Sequence, residues 1–139
     1  MALELDSLIR SVESLKRAIS AADKSQDIMN PDLREAVKAG IIQNFETAYE
    51  QCWKFIQRWL RQNQAPEEAN YPRTRKELFR MAARAGIISN PTPWFEFGEA
   101  RNLTSHTYNA AQAKAAHDAA RRFLPYAEEL LKNLTERND

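Results

Sequence analysis

The chain has one cysteine, Cys52, and three glycines among its 139 residues. A single cysteine excludes an intrachain disulfide and any cysteine-based metal cluster. So few glycines, with no stretch in which apolar and polar residues alternate, leave little material for strands and tight hairpin turns. No apolar run approaches the ~18 residues of a membrane-spanning helix. The N-terminal stretch carries Glu4, Asp6, Arg10 and Glu13 among its apolar residues, which does not fit a cleavable leader. An excess of one charge is missing too. Lys and Arg number 20 and Asp and Glu 19, a formal charge of +1. That excludes a uniformly basic, histone-like nucleic-acid binder but leaves room for a local basic site. The cytoplasm is the simplest location.

What is present favours helices. Ala, Leu, Glu, Lys, Arg and Gln dominate, and these lose little on entering a helix. The expected fold class is all-α, in a single domain spanning residues 1–139, with prolines at the joints. Leu5, Leu8, Ile9, Val12, Leu15 and Ile19 recur at helical spacing and predict a first helix over about 3–22. Asn30-Pro31 predicts a capped start for a second, running to about Gln62. Thr74 with Glu77 fits a capping box, and Gly86 is placed to end that third helix in a left-handed turn. Thr92-Pro93 predicts the start of a short fourth helix, ending within 103–109. An alanine-rich helix over about 110–135 follows, with Pro125 expected to disturb its hydrogen-bond ladder.

The second helix carries an unusually wide apolar face. Its apolar residues from Ile41 to Leu60 cover an arc of roughly 160°, against little over ~100° for an ordinary bundle helix. Phe45, Tyr49, Trp53, Ile56 and Trp59 lie within it. Two arrangements bury such a face: a second copy of the chain, which is the favoured expectation, or three neighbours inside one monomer. Trp53 and Trp59 can also stack on bases, although their helical spacing suits core or interface better.

The segment that carries chemistry is Arg101-Asn102-Leu103-Thr104-Ser105-His106-Thr107-Tyr108. It gathers a cation, an imidazole and a phenol near a helix end. Imidazole titrates near neutrality, so it can take a proton from a 2′-hydroxyl or give one to a leaving oxygen. A guanidinium stays charged and can hold a phosphate through paired hydrogen bonds. Together they suffice for RNA cleavage without a metal. On an ideal helix Arg101 lies about 140° round from His106. One chain therefore does not aim both side chains at one spot unless the helix unwinds or a second chain completes the site. The bland alternative is a helix terminus whose histidine bonds the last carbonyls.

RNLTSHTY matches the R-x4-H-x-Y pattern of HEPN domains. Ile42-Gln43-Asn44-Phe45-Glu46 with Tyr49, Trp53 and Lys54, then Arg75-Lys76-Glu77-Leu78-Phe79-Arg80 with residues 82–88 and Trp94, resemble the nucleotidyltransferase substrate-binding protein branch of that family. The resemblance spans roughly residues 5–130. It implies an up-and-down bundle of about five helices around a four-helix core, assembled as a homodimer. It further implies a toxin paired with a minimal nucleotidyltransferase antitoxin, cutting RNA without metal or cofactor at a cleft between two subunits. Carried across, Arg101 and His106 become the catalytic pair and Asn102 and Ser105 polar helpers. Tyr108 becomes the acceptor of AMP from the antitoxin. A non-catalytic nucleotide- or substrate-binding subunit of a two-component nucleotidyltransferase stands as the alternative.

Other residues carry weaker signals. Arg73, Arg75, Lys76, Arg80 and Arg84 form the densest basic run, either a solvated face or a track for the RNA backbone. Trp94 can line the cleft or sit in the core. His117 reads as a surface histidine and Cys52 as a buried small hydrophobe. Two histidines and one cysteine make a zinc site within one chain improbable.

Overall fold

A computed structural model of the chain describes residues 2–25, 30–63, 74–104 and 110–138. These form an all-α bundle of five helices. They are α1 (Asp6–Lys24), α2 (Pro31–Asn63), α3 (Arg75–Ala85), α4 (Pro91–Leu103) and α5 (Ala110–Glu136).

Local chemistry sets most helix ends. Asn30 Oδ1 accepts from the backbone N–H of Asp32 at 2.9 Å and opens α2. Thr74 Oγ1 accepts from Glu77 N at 3.1 Å and opens α3. Gly86 ends α3 at φ 82°, a left-handed conformation open to glycine, and donates its N–H to the last turn. The start of α4 differs from the expectation at Thr92-Pro93. Asn90 is the cap, accepting from Thr92 N at 3.0 Å, with Pro91 in the first turn. The same cap-plus-proline pairing occurs two residues earlier, and an Asn suits the cap better than a Thr. α5 continues through Pro125 to Glu136.

α2 packs against each of the other four helices. Phe45, Tyr49, Ile56 and Cys52 are fully buried within one chain, and Trp59 is nearly so. The wide apolar arc is therefore covered by intrachain neighbours. The expectation that this arc demands a second copy is corrected, because a helix at the centre of a five-helix bundle buries most of its circumference unaided. Trp53 alone among the five named residues is partly exposed.

Phe123 of α5 is the hub of the core. Its ring meets Phe45 and Phe97 at 5.3 Å each and Trp94 at 5.5 Å, all edge-on. Edge-to-face packing adds to the area each ring buries. The two ends of the described chain are tied together. Leu3 N donates to Asn138 Oδ1 at 2.7 Å, and Asn138 Nδ2 returns a bond to Leu3 O at 2.9 Å. Asn133 Nδ2 donates to Ile87 O at 2.9 Å and clamps the α3–α4 connection onto α5. That clamp and the buried pair Ile87 and Ile88 hold α4 in place against α2.

Candidate functional site

The last turn of α4 presents Arg101 to α2. Arg101 Nε lies 3.5 Å from Glu50 Oε1, and one terminal nitrogen lies 3.8 Å from Glu46 Oε2. Glu46 and Glu50 are four apart and so share a face of α2. The Arg101 side chain is 24% exposed, enough to meet a ligand while held from behind. Its Nε is buried, and the 3.5 Å approach is too poorly aligned for a hydrogen bond. Below it, Thr104 Oγ1 donates to the Arg101 carbonyl at 2.6 Å and caps the turn.

A second cation meets the same acid. Arg75, at the first turn of α3, has a terminal nitrogen 3.8 Å from Glu50 Oε1. Its guanidinium lies over the Trp53 ring at 4.7 Å and the Tyr49 ring at 5.7 Å. The other Glu50 oxygen, Oε2, accepts from Trp53 Nε1 at 2.8 Å. Glu50 thus fixes both arginines and the indole. Two further cations of α3 rest on α4: Lys76 and Arg80 sit 5.7 Å and 5.4 Å from the centre of the Phe95 ring. Flat stacking on aromatic faces suits guanidinium and leaves edge N–H groups for other partners.

Beside Arg101 the three helices enclose a pocket of about 160 Å³. Tyr49 and Phe79 line it together with Trp94 and Phe95, and Arg75, Lys76, Glu99 and Asn102 complete the wall. Gly98 is there for a spatial reason. A Cβ at that position would stand 2.7 Å from the Tyr49 hydroxyl. That hydroxyl is buried without a hydrogen bond, as is the Trp94 indole N–H. Arg75 approaches the phenol without completing a bond, and burial raises the phenol pKa above its ordinary value.

Of the residues the sequence singles out, Arg101, Asn102, Arg75, Lys76 and Arg80 are brought to one side of the bundle. His106, Tyr108, Ser105 and Arg73 lie outside the described residues. Phe45, Ile56 and Trp59 belong to the core, whereas Tyr49 and Trp94 belong to both core and pocket. Glu46, Glu50 and Gly98 carry no motif that marks them. Their only sequence signal is the four-residue spacing of two acids on the polar side of α2. Among the described residues no group of three or more His, Cys, Asp or Glu is placed to hold a metal ion. His117 is half-buried rather than on the surface. It lines a different cavity, with Lys38 of α2. Burial chiefly, then Arg121 and Lys38, hold its pKa below the ordinary value. Burial drives the Cys52 thiol pKa far up, as expected of an inert core cysteine. No described helix is long and apolar enough to cross a membrane.

The family model for nucleotidyltransferase substrate-binding protein-like chains matches residues 3–136. The chain belongs to this family. Its substrate-binding-protein fold is shared at TM-score 0.87 with a Haemophilus influenzae protein described as the substrate-binding domain of a nucleotidyltransferase. That match has 28% identity and covers 95% of this chain and 99% of the other. A family relative named "Probable ribonuclease HepT", from the same organism, is 31% identical, over 96% of this chain and 91% of its own length. A Shewanella oneidensis HEPN toxin, tri-AMPylated and in complex with an MNT antitoxin, shares the fold at TM-score 0.66 and 16% identity. That match covers 94% of this chain and 98% of the toxin. The resemblance to the HEPN family and its nucleotidyltransferase substrate-binding branch is thereby established.

Proposed function

We propose that the protein is the toxin of a HEPN/minimal-nucleotidyltransferase pair, an endoribonuclease that works without metal at a cleft between two subunits. The single observation that carries this is the Arg101 guanidinium. It is braced by Glu46 and Glu50, partly open to solvent, flanked by Arg75 and five residues ahead of His106. The name of the ribonuclease relative supports the activity.

In this reading Arg101 holds the scissile phosphate. His106 takes the proton from the 2′-hydroxyl, whose oxygen attacks phosphorus and forms a new P–O bond. The bond to the 5′-oxygen breaks, that oxygen takes up a proton, and a 2′,3′-cyclic phosphate remains. Guanidinium stabilises the charge that builds on the phosphoryl oxygens. Asn102 and Ser105 orient these groups, and Arg75, Lys76 and Arg80 bind the neighbouring backbone. The second subunit supplies a second Arg101–His106 pair to the same cleft. The partner nucleotidyltransferase transfers AMP to Tyr108. That phosphodiester puts bulk and negative charge where RNA phosphate must lie. The tri-AMPylated HEPN toxin of the same fold supports this route.

The test is cleavage of RNA by purified protein in EDTA. His106→Ala abolishes it with an unchanged melting temperature, and Arg101→Lys lowers it about 100-fold, since an ammonium cannot replace the fork. A fully active His106→Ala protein sinks the nuclease. Incubation with the partner and ATP adds AMP, and Tyr108→Phe prevents it. Addition at another residue refutes that assignment. The family description, a substrate-binding protein, favours a second reading: a non-catalytic subunit that presents a nucleotide or substrate to the partner enzyme. It predicts a stable complex and no cleavage.

A further inference from the structure

Two buried polar atoms beside the site lack partners. The Tyr49 hydroxyl and the Trp94 indole N–H belong to residues with no solvent exposure, and neither makes a hydrogen bond. Leaving such groups unpaired is costly, and native structures keep few of them without a reason. Both residues line the pocket between α2, α3 and α4. Gly98 lines it too, and the absence of its side chain is what admits the phenol.

The remaining wall narrows the ligand. Phe79 and Phe95 add flat apolar faces, and Asn102, next to Arg101, adds an amide that both donates and accepts. A hydrocarbon would leave the phenol, indole and amide unpaired. A bare inorganic anion would waste the aromatic faces and meet the Glu99 carboxylate. A flat ring with donors and acceptors on its edge uses both features. At about 160 Å³ the space is below the ~300–1,000 Å³ of drug-sized sites and suits a single ring system. Arg75 and Lys76 at its wall suit a ligand that continues into a phosphate chain. Glu50, which holds Arg75, also holds Arg101.

We propose that this pocket takes one nucleobase, an unpaired base of the RNA strand whose phosphate lies at Arg101. Stacking on the aromatic walls supplies affinity, and the Tyr49 hydroxyl, Trp94 N–H and Asn102 amide read the base edge. The RNA in this statement rests on the nuclease reading, while the base pocket does not. The pocket then sets which nucleotide flanks the cut.

Two measurements test it. In the first, protein labelled with 15N at tryptophan is titrated with AMP, GMP, CMP and UMP in turn. The indole signal of Trp94, assigned with Trp94→Phe, shifts with one or two of them, and Tyr49→Phe weakens that binding about tenfold, the worth of one hydrogen bond. No shift with any of the four, or equal affinity in Tyr49→Phe, overturns the proposal, since water alone then fills the pocket. In the second, the ends of RNA fragments are sequenced. One base is preferred beside the cut, and the preference ratio drops about tenfold in Tyr49→Phe whatever the total rate. Cleavage with no base preference overturns the pocket and leaves the nuclease standing. Base binding at Trp94 by a protein that cuts no RNA does the reverse.

Discussion

Arg75 of α3 and Arg101 of α4 converge on one oxygen, Glu50 Oε1, at 3.8 Å and 3.5 Å. One carboxylate thereby holds two cations from two helices within reach of a common anion. It also subtracts charge from the place where a phosphate would bind. In the nuclease reading the two effects separate kinetically. Glu50→Gln frees both side chains from a fixed geometry, so kcat on a short RNA falls roughly tenfold. It also removes an opposing negative charge, so KM falls or holds. A rise in KM with unchanged kcat shows that Glu50 does not position Arg101.

Gly98 and Tyr49 form a steric pair that stability measurements can isolate. A Cβ at position 98 would stand 2.7 Å from the Tyr49 hydroxyl. The Tyr49 ring cannot swing away, being packed against Phe45, Phe79 and Phe123. Gly98→Ala is expected to destabilise by about 1–3 kcal/mol, net of its better helix propensity. Adding Tyr49→Phe removes the clashing oxygen, so the double variant recovers most of the loss. Additive losses in a denaturant-unfolding cycle contradict the pairing.

The helix caps give a sharper contrast. Thr74→Ala and Asn90→Ala each remove a side-chain acceptor from a helix start and are expected to cost about 1 kcal/mol, or roughly 4 °C in Tm. Thr92→Ala, at the position where local sequence signals place the cap, leaves Tm within about 1 °C. Calorimetry of the three variants decides between the two caps.

His117 links stability to pH. Its folded-state pKa lies below the ordinary 6.5, chiefly through burial, with Arg121 and Lys38 adding to it. Asp118 and Asp23 oppose the shift. The unfolded chain therefore binds the proton first. Stability from this group is present above pH 6.5 and declines as pH falls through the folded-state pKa. His117→Gln flattens the Tm-against-pH curve over that window. A wild-type curve that is already flat there refutes the assignment.

Several features are legible in the amino-acid order alone. Asn30, Thr74 and Gly86 announce helix ends because a cap acts over three or four residues. The apolar faces of α1 and α3 follow from a period that each helix repeats internally. Arg101 and its basic companions Arg75, Lys76 and Arg80 stand out by residue type. The start of α4 is misplaced by sequence reasoning because Asn90 and Thr92 are adjacent cap candidates, each followed by a proline, and local chemistry discriminates weakly between them. The misreading of α2 is of another kind. A wide apolar arc states that something must cover it, and periodicity cannot say whether the cover is the same chain or a second one.

By itself the sequence determined five helices, their approximate limits, the segment bearing the reactive groups and the family, since all of these depend on neighbours close in the chain or on a motif. Tertiary structure decided that Glu46 and Glu50 hold Arg101, that Arg75 joins it, and that Tyr49 reaches a pocket through the space left by Gly98. Those pairings join residues far apart in sequence. They exist only because α3 and α4 cross α2 at the height of Glu50, a register set by packing around Phe123 and Trp94 rather than by any local signal.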